Sequence, residues 1–277
     1  MNLLKSHKTY GGLTQFWEHD SKSTQTKMKV STYLPSMPPK GCLIWLSGLT
    51  CTDENFITKA GAQKFLEAQQ LMVVCPDTSP RGTNLPHEHE SDDFGSGASF
   101  YVDATTPGYK DHYRMETYIT DELYKLVAEK FSVKGKISLM GHSMGGHGAL
   151  TLGLRHPELF QSLSALSPIV HPTAVPWGEK ALKGYLGESK GEWKKHDTVE
   201  LILAGKKHPK PILVDQGLSD PFLEKQLQTT HLREACEAKG QPAEIYMREG
   251  YDHSYYFISS FIEDHIAFHA KHLHAVE

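Results

Sequence analysis

The chain has 277 residues and a formal net charge of −4, with 29 Lys and Arg against 33 Asp and Glu. This length suits one large α/β domain, so we expect a single domain over residues 1–277. The weak negative charge argues against a nucleic acid or an anionic membrane as partner and favours a small molecule.

Two further features of the composition bear on location and metals. The N-terminal residues contain no apolar signal-peptide core, and no run of about 18 apolar residues follows, which predicts a cytoplasmic protein without a membrane partner. The cysteines lack C-x-x-C spacing, so neither a disulfide framework nor a structural zinc site is expected. The histidines within 265–274 suit an exposed polar helix, and we predict no bound metal.

The first predicted elements are two strands, residues 13–18 and 28–34, which partly alternate between apolar and polar side chains and suit an antiparallel pair. Short apolar runs separated by helical patterns then predict a mostly parallel sheet. The runs are residues 42–47, 71–75, 137–140, 163–166, 211–215 and 243–247. The predicted helices, expected on both faces of the sheet, are residues 56–69, 113–130, 144–155, 231–238 and 255–271.

Two segments lack a regular pattern. Residues 76–109 are rich in Gly and Ser, and a loop of that length is usually functional or partly disordered, so we expect it at the rim of an active site. Residues 168–193 contain prolines and tryptophans in an irregular pattern and resemble a small cap.

A nucleophile motif lies between a predicted strand and a predicted helix. The sequence Gly141-His-Ser-Met-Gly145 matches G-x-S-x-G, in which the glycines give room for a sharp strand-to-helix turn. Ser143 is then held with its hydroxyl exposed at the end of the strand. The motif predicts a serine nucleophile on an α/β-hydrolase fold, and the alternative is a Gly-rich turn without chemistry.

A serine nucleophile requires a histidine base and a carboxylate that orients the histidine, and in this architecture they follow in the order Ser, acid, His. Asp220 lies in a turn after a late predicted strand, and Asp215, at the end of that strand, is its competitor. His253 follows the last predicted strand and precedes the final helix. We therefore predict Ser143, Asp220 and His253 as the catalytic triad, with Asp220 favoured over Asp215.

Two backbone N–H groups are candidates for the oxyanion hole. Met144 follows the nucleophile at the start of a helix, and Leu49 lies on the loop after an early strand. Gly48 allows that loop to run close to the substrate. His142, next to the nucleophile, is expected to point away from the serine hydroxyl and to have a structural role.

These residues, with segments elsewhere, resemble the S-formylglutathione hydrolase (esterase D) family over nearly the whole chain. The matching segments are Trp45-Leu-Ser-Gly-Leu-Thr-Cys-Thr-Asp-Glu-Asn-Phe56, Pro76-Asp-Thr-Ser-Pro-Arg-Gly82, Gly141-His-Ser-Met-Gly-Gly-His-Gly-Ala-Leu150, Asp215-Gln-Gly with Asp220, and Gly250-Tyr-Asp-His-Ser-Tyr-Tyr-Phe257.

The resemblance implies a cytoplasmic, cofactor-independent thioesterase that forms a homodimer. It also implies that the enzyme cleaves S-formylglutathione to formate and glutathione in formaldehyde detoxification and accepts short-chain carboxylic esters. The family pattern assigns the same triad and the same two oxyanion donors, Leu49 and Met144.

A general carboxylesterase or an acyltransferase on this fold is the nearest alternative, since both use the same triad. A non-catalytic binding protein would predict a broken triad.

Several side chains bear on substrate binding. The Cys51 thiol either borders the acyl pocket, where bulky modification or oxidation would block the substrate, or is a small buried apolar group. Trp177 either narrows the acyl pocket or belongs to the core. Arg81 and Lys180 are candidate partners for the glutathione carboxylates, and the alternative for both is a solvated surface charge.

Overall fold

Nine strands form one sheet in the computed structural model, which describes residues 1–276. In chain order they are β1 (Asn2–Thr9), β2 (Gly12–Asp20), β3 (Lys27–Leu34), β4 (Gly41–Leu46), β5 (Leu71–Pro76), β6 (Ile137–His142), β7 (Leu163–Leu166), β8 (Ile212–Gly217) and β9 (Ala243–Arg248). Across the sheet the order is β1-β2-β3-β5-β4-β6-β7-β8-β9. The first four of these strands pair antiparallel, and from β5 to β9 neighbouring strands run parallel, which confirms the predicted mostly parallel sheet.

Helices connect the parallel strands. They are α1 (Glu54–Lys59), α2 (Gln63–Gln69), α3 (Met115–Thr117), α4 (Tyr124–Lys130), α5 (Met144–Arg155), α6 (Pro176–Leu186), α7 (Lys190–Lys194), α8 (Thr198–Leu203), α9 (Thr229–Lys239) and α10 (Tyr255–Leu273). A π-helical stretch, Tyr118–Leu123, joins α3 to α4. Among residues 1–276, no helix has both the length and the apolar character needed to cross a membrane.

The core has two layers, one on each face of the sheet. Along β4, Cys42, Ile44 and Leu46 lie in one layer and Leu43 and Trp45 in the other, because successive side chains of a strand point to opposite faces. Apolar side chains of α1, α2 and α10 share the layer of Trp45, while those of α5, α6, α8 and α9 share the layer of Ile44. Helices therefore cover both faces, as the sequence predicts.

Three local predictions differ from the structure. The sequence pattern does not predict β1, because this edge strand is exposed along almost its whole length and lacks alternation. The single helix predicted over 56–69 is wrong, since Gly61 has a φ of 65° and this left-handed residue separates α1 from α2. The irregular structure predicted over 168–193 is also wrong, because α6 and α7 lie there and bury Tyr185 and Trp193.

Candidate active site

Ser143 lies on a strained turn between β6 and α5. Its backbone has a φ of 57° and a ψ of −118°, which residues with a side chain rarely adopt, and such strain is typical of a nucleophile elbow. A Cβ on Gly141 would overlap the backbone oxygen of Gly145, and a Cβ on Gly145 would overlap that of Leu46. The turn therefore requires the two glycines that the sequence motif identifies.

The predicted base and acid form a pair beyond the ends of neighbouring strands. Asp220 follows β8, and His253 follows β9 immediately before α10. His253 Nδ1 lies 2.5 Å from Asp220 Oδ2, and Asp220 Oδ1 accepts a 2.8 Å hydrogen bond from the Phe222 N–H. The buried carboxylate thus fixes one edge of the imidazole ring and leaves Nε2 on the opposite edge, where it can accept a proton.

Asp215, the alternative acid, is held by other partners. Its carboxylate accepts a hydrogen bond from Arg248 and lies 3.0 Å from His265 Nε2. His265 and His269 of α10 are fully buried, and their ring nitrogens lie 2.8 and 2.7 Å from the Ser164 hydroxyl. The expectation that these histidines are exposed is therefore wrong, because they tie α10 to β7 and β8.

Within residues 1–276, no group of three or more His, Cys, Asp or Glu side chains is arranged to hold a metal ion.

Ser143 and His253 line one cavity of about 390 Å³. Leu49 and both predicted pocket residues, Cys51 and Trp177, lie on the same wall. Several other lining residues carry no signal in the sequence that marks them as pocket residues, among them Asn55, Lys59, Asp92, Phe222 and Tyr255. The cavity is at the small end of the range for ligand pockets, which suits a small acyl group.

The two predicted oxyanion donors belong to segments that meet at the nucleophile. Met144 is the first residue of α5, where backbone N–H groups have no acceptor within the helix. A Cβ on Gly48 would lie 3.2 Å from the Ser143 Cβ, so the loop that carries Leu49 runs directly against the nucleophile. This proximity suits the N–H groups of Leu49 and Met144 to bind the oxygen of a tetrahedral intermediate.

His142 stands beside the base. It lines the same cavity, and its ring centroid lies 4.5 Å from that of His253. Burial lowers the pKa of His142 well below 6.5, and the charge of His253 lowers the pKa further, so His142 is neutral at pH 7. His142 therefore borders the cavity, while the expectation that its ring points away from the Ser143 hydroxyl stays a prediction. A neutral ring here packs against the base without repelling the charge that the base acquires.

The long segment 76–109 contributes to the cavity rim, as expected. Its Glu88 is only 1 % exposed and accepts a 2.6 Å hydrogen bond from the Tyr113 hydroxyl. Because a buried carboxylate needs such donors, this bond fixes the segment against the stretch of chain that leads into α3. The segment thereby places Asp92 on the cavity wall.

The two cations considered for the glutathione carboxylates are engaged elsewhere. Arg81 Nη2 lies 2.7 Å from Asp77 Oδ1, and Lys180 Nζ lies 2.5 Å from Asp93 Oδ1. The cavity wall includes neither of them, and its lysine is Lys59.

The fold and this site define a serine hydrolase of the α/β-hydrolase type. The Esterase family model matches residues 21–268. An S-formylglutathione hydrolase from Agrobacterium tumefaciens has a TM-score of 0.96 and 40% identity, with coverage of 99% of this chain and 100% of that chain. The chain belongs to the esterase family that includes the S-formylglutathione hydrolases.

More distant solved structures share the fold. An S-formylglutathione hydrolase from Staphylococcus aureus is 17% identical, with a TM-score of 0.70 and coverage of 93% of this chain and 98% of that chain. A ferulic acid esterase from Anaeromyces mucronatus is 16% identical, with a TM-score of 0.66 and coverage of 99% of this chain and 93% of that chain. These two structures show the shared fold alone, because a fold by itself does not fix a substrate.

Proposed function

We propose that this protein is a serine thioesterase that hydrolyses S-formylglutathione to formate and glutathione and so acts in formaldehyde detoxification. The observation that carries the proposal is the His253–Asp220 pair, which faces the same small cavity as the strained Ser143. The 40% identity to an S-formylglutathione hydrolase over nearly the whole chain supports the choice of substrate. Short-chain carboxylic esters are proposed as further substrates.

In the proposed mechanism, Ser143 Oγ attacks the formyl carbon while His253 takes the hydroxyl proton and Asp220 stabilises the imidazolium. The N–H groups of Leu49 and Met144 bind the oxyanion, and a donor of this kind contributes about 3 kcal/mol to transition-state stabilisation. The carbon–sulfur bond then breaks, the imidazolium gives its proton to the departing sulfur, and Ser143 remains formylated.

Water completes the cycle. His253 accepts a proton from the water that attacks the formyl-enzyme, the ester bond to Ser143 breaks, and the serine oxygen regains its proton as formate leaves. Because a thiolate is a good leaving group, we expect deacylation to limit turnover. A pre-steady-state burst of glutathione measures this order of events, and a linear time course would contradict it.

The first experiment compares kcat/KM for S-formylglutathione with that for a short and a medium aryl ester. We expect wild type to prefer the thioester, Ser143→Ala to lose activity on all three substrates by at least about 10⁴-fold, and the exposed-site control Ser259→Ala to match wild type. A preference for oxygen esters would indicate a general carboxylesterase, and acyl transfer to an added alcohol in place of hydrolysis would indicate an acyltransferase. A folded wild type without activity would indicate a binding protein.

Two lining side chains are proposed to shape the acyl pocket. Trp177 packs against Phe222 with ring centroids 4.8 Å apart, and we propose that it limits acyl length, which the short and medium esters probe.

Burial raises the pKa of the Cys51 thiol, so its thiolate is scarce at neutral pH and bulky thiol reagents should react slowly. Once attached, such a reagent should block the cavity, and an equal sensitivity of Cys51→Ser would refute this role.

We also propose a cytoplasmic homodimer, as the family resemblance implies. Light scattering coupled to size-exclusion chromatography measures the mass in solution, and a monomer at micromolar concentration would contradict the dimer. The single domain over 1–277 stays a prediction, and one cooperative unfolding transition would support it.

A further inference from the structure

The ligand proposed above carries charges that a binding wall must meet. At neutral pH glutathione has a carboxylate at its glycine end, and at its γ-glutamyl end it has a carboxylate beside an ammonium group. The acylated sulfur lies between the two ends. A cavity that selects glutathione thioesters over neutral esters therefore needs a cation and an anion within reach of the nucleophile.

Two ionised side chains of opposite sign, Lys59 and Asp92, line the cavity that holds Ser143. Both are exposed, and within residues 1–276 neither lies within 4 Å of an oppositely charged side chain. Arg81 and Lys180, by contrast, are paired with Asp77 and Asp93. Lys59 and Asp92 thus keep their charges for a ligand.

Lys59 is the last residue of α1, close in sequence to the loop that bears Leu49. Its Nζ lies 5.7 Å from the ring centroid of Tyr255, which lines the cavity two residues beyond the base. The positive charge of Lys59 also reaches Cys51, where it opposes the rise that burial causes in the pKa of the thiol. The ammonium group is therefore near two parts of the wall that flank the catalytic residues.

Asp92 is held in place by its neighbours. Lys180 Nζ lies 2.9 Å from the Ser91 hydroxyl and 2.5 Å from the Asp93 carboxylate, so the residues on both sides of Asp92 are tied to α6. Lys180 thus neutralises Asp93 and leaves the Asp92 carboxylate on the cavity wall. An acidic group at this place repels a lone carboxylate and attracts an ammonium.

We propose that Lys59 and Asp92 form a charged subsite for the glutathione part of the substrate. Lys59 binds the glycine carboxylate, which has no cation of its own, and Asp92 binds the γ-glutamyl ammonium group. This assignment rests on the proposed function and makes both side chains specificity-determining residues. Neither one touches the reacting carbon, so their effect falls on KM more than on kcat.

The test pairs variants with substrates that lack one charge. The substrates are S-formylglutathione, its glycine monoethyl ester, its N-acetyl derivative, and the uncharged thioester S-formyl-N-acetylcysteamine. For wild type, esterification of the glycine carboxylate should lower kcat/KM about fivefold to tenfold, the value of one partly exposed charged hydrogen bond. Lys59→Met should have a kcat/KM for S-formylglutathione that is lower than that of wild type by the same factor, and esterification of the substrate should not lower it further. Lys59→Arg should recover most of the wild-type kcat/KM.

Asp92→Asn should likewise lower kcat/KM for S-formylglutathione, and N-acetylation of the substrate should not lower the kcat/KM of this variant further. The matched control is Lys64→Met, because Lys64 is also exposed and its Nζ lies 4.6 Å from a ring centroid, that of Phe65, yet it is not on the cavity wall. The subsite is refuted, while the proposed function stands, if esterification lowers the kcat/KM of Lys59→Met as much as that of wild type. The same holds if Lys59→Met lowers kcat/KM equally for charged and uncharged thioesters. If wild type hydrolyses the uncharged thioester but not S-formylglutathione, the proposed function fails and the subsite fails with it.

Discussion

Two aspartates near the end of β8 differ in their partners, and the partners separate their roles. Asp220 bonds to His253, which shares the cavity with Ser143, whereas Asp215 bonds to Arg248 and to the buried His265. We therefore propose that Asp220 orients the base, whereas Asp215 joins α10 to the sheet.

Asparagine at each position should reveal this difference. Asp220→Asn should lower kcat by about 10³- to 10⁴-fold, because the imidazole loses its orienting charge and its correct tautomer. Asp215→Asn should instead lower the free energy of unfolding by about 3 kcal/mol, since it leaves the half-buried Arg248 guanidinium without the buried carboxylate that pairs with it. Ester hydrolysis and urea unfolding measure the two effects. A folded Asp215→Asn protein with 10³-fold lower kcat and unchanged stability would reverse the assignment.

At the scale of elements, the turn between β6 and α5 depends on small residues. Gly145 packs against the backbone at the end of β4, where a Cβ would overlap the Leu46 carbonyl oxygen. The overlapping atom is main chain in a buried strand and cannot move aside cheaply. The nucleophile elbow and the central strands are thus one packed unit.

Gly145→Ala should lower the free energy of unfolding by more than about 3 kcal/mol or prevent folding. The added methyl group overpacks the turn, and β4 must also shift to make room for it. Gly191→Ala is the matched control. Gly191 lies in α7 with only the Ser189 hydroxyl near its would-be Cβ, at 3.9 Å, so alanine there should leave stability unchanged or raise it by up to about 1 kcal/mol. Urea unfolding of both variants gives the comparison, and equal stability would contradict the packing argument.

The sequence predicts elements well where burial leaves a visible pattern. The strand at 163–166 and the helix at 144–155 have the predicted bounds, because both are almost wholly buried and their apolar runs end at clear signals. The exposed β1 has no such pattern, and the break at Gly61 depends on one left-handed residue.

The candidate site shows the same division between residues that the sequence predicts and residues that it does not. The triad is predictable from sequence because in this architecture chain order and strand ends fix where its members are expected, and its catalytic roles stay predictions. Lys59 ends α1, His142 ends β6 and Asp92 lies in the segment 76–109, and only tertiary packing that no local pattern encodes brings the three to one cavity. Similarly, the burial of His265 depends on contacts with strands about 50 and 100 residues away in sequence.

For the whole molecule, buried histidines make stability depend on pH. The chain has 17 histidines, and burial lowers the pKa of six buried ones: His19, His142, His147, His196, His208 and His269. The folded state holds these rings neutral, whereas the unfolded chain protonates them near pH 6.5. Between the two pKa values the unfolded state binds more protons, so the free energy of unfolding falls as the pH falls.

His147 gives the sharpest test of this dependence. Burial lowers its pKa to about 4, so it should contribute a loss of about 3 kcal/mol in stability between pH 6.5 and pH 4. His147→Gln removes the titration, while its amide can still donate to the Phe100 carbonyl, which the His147 Nε2 contacts at 2.9 Å. In urea unfolding at pH 7 and pH 5, the stability difference should be smaller for His147→Gln than for wild type, and the exposed control His7→Gln should match wild type.

The pH window of that measurement matters because other groups act below it. Hydrogen bonds lower the pKa of Glu88 and Glu116 against the opposing effect of burial, so both carboxylates stabilise the fold above pH 4.5 and lose that contribution as the pH falls further. Between pH 7 and pH 5 the buried histidines outnumber the opposing carboxyl of Asp53, whose pKa burial raises to about 6, so the net slope keeps the sign of the histidines. An identical slope for His147→Gln and wild type in this window would show that His147 is not held neutral by the fold.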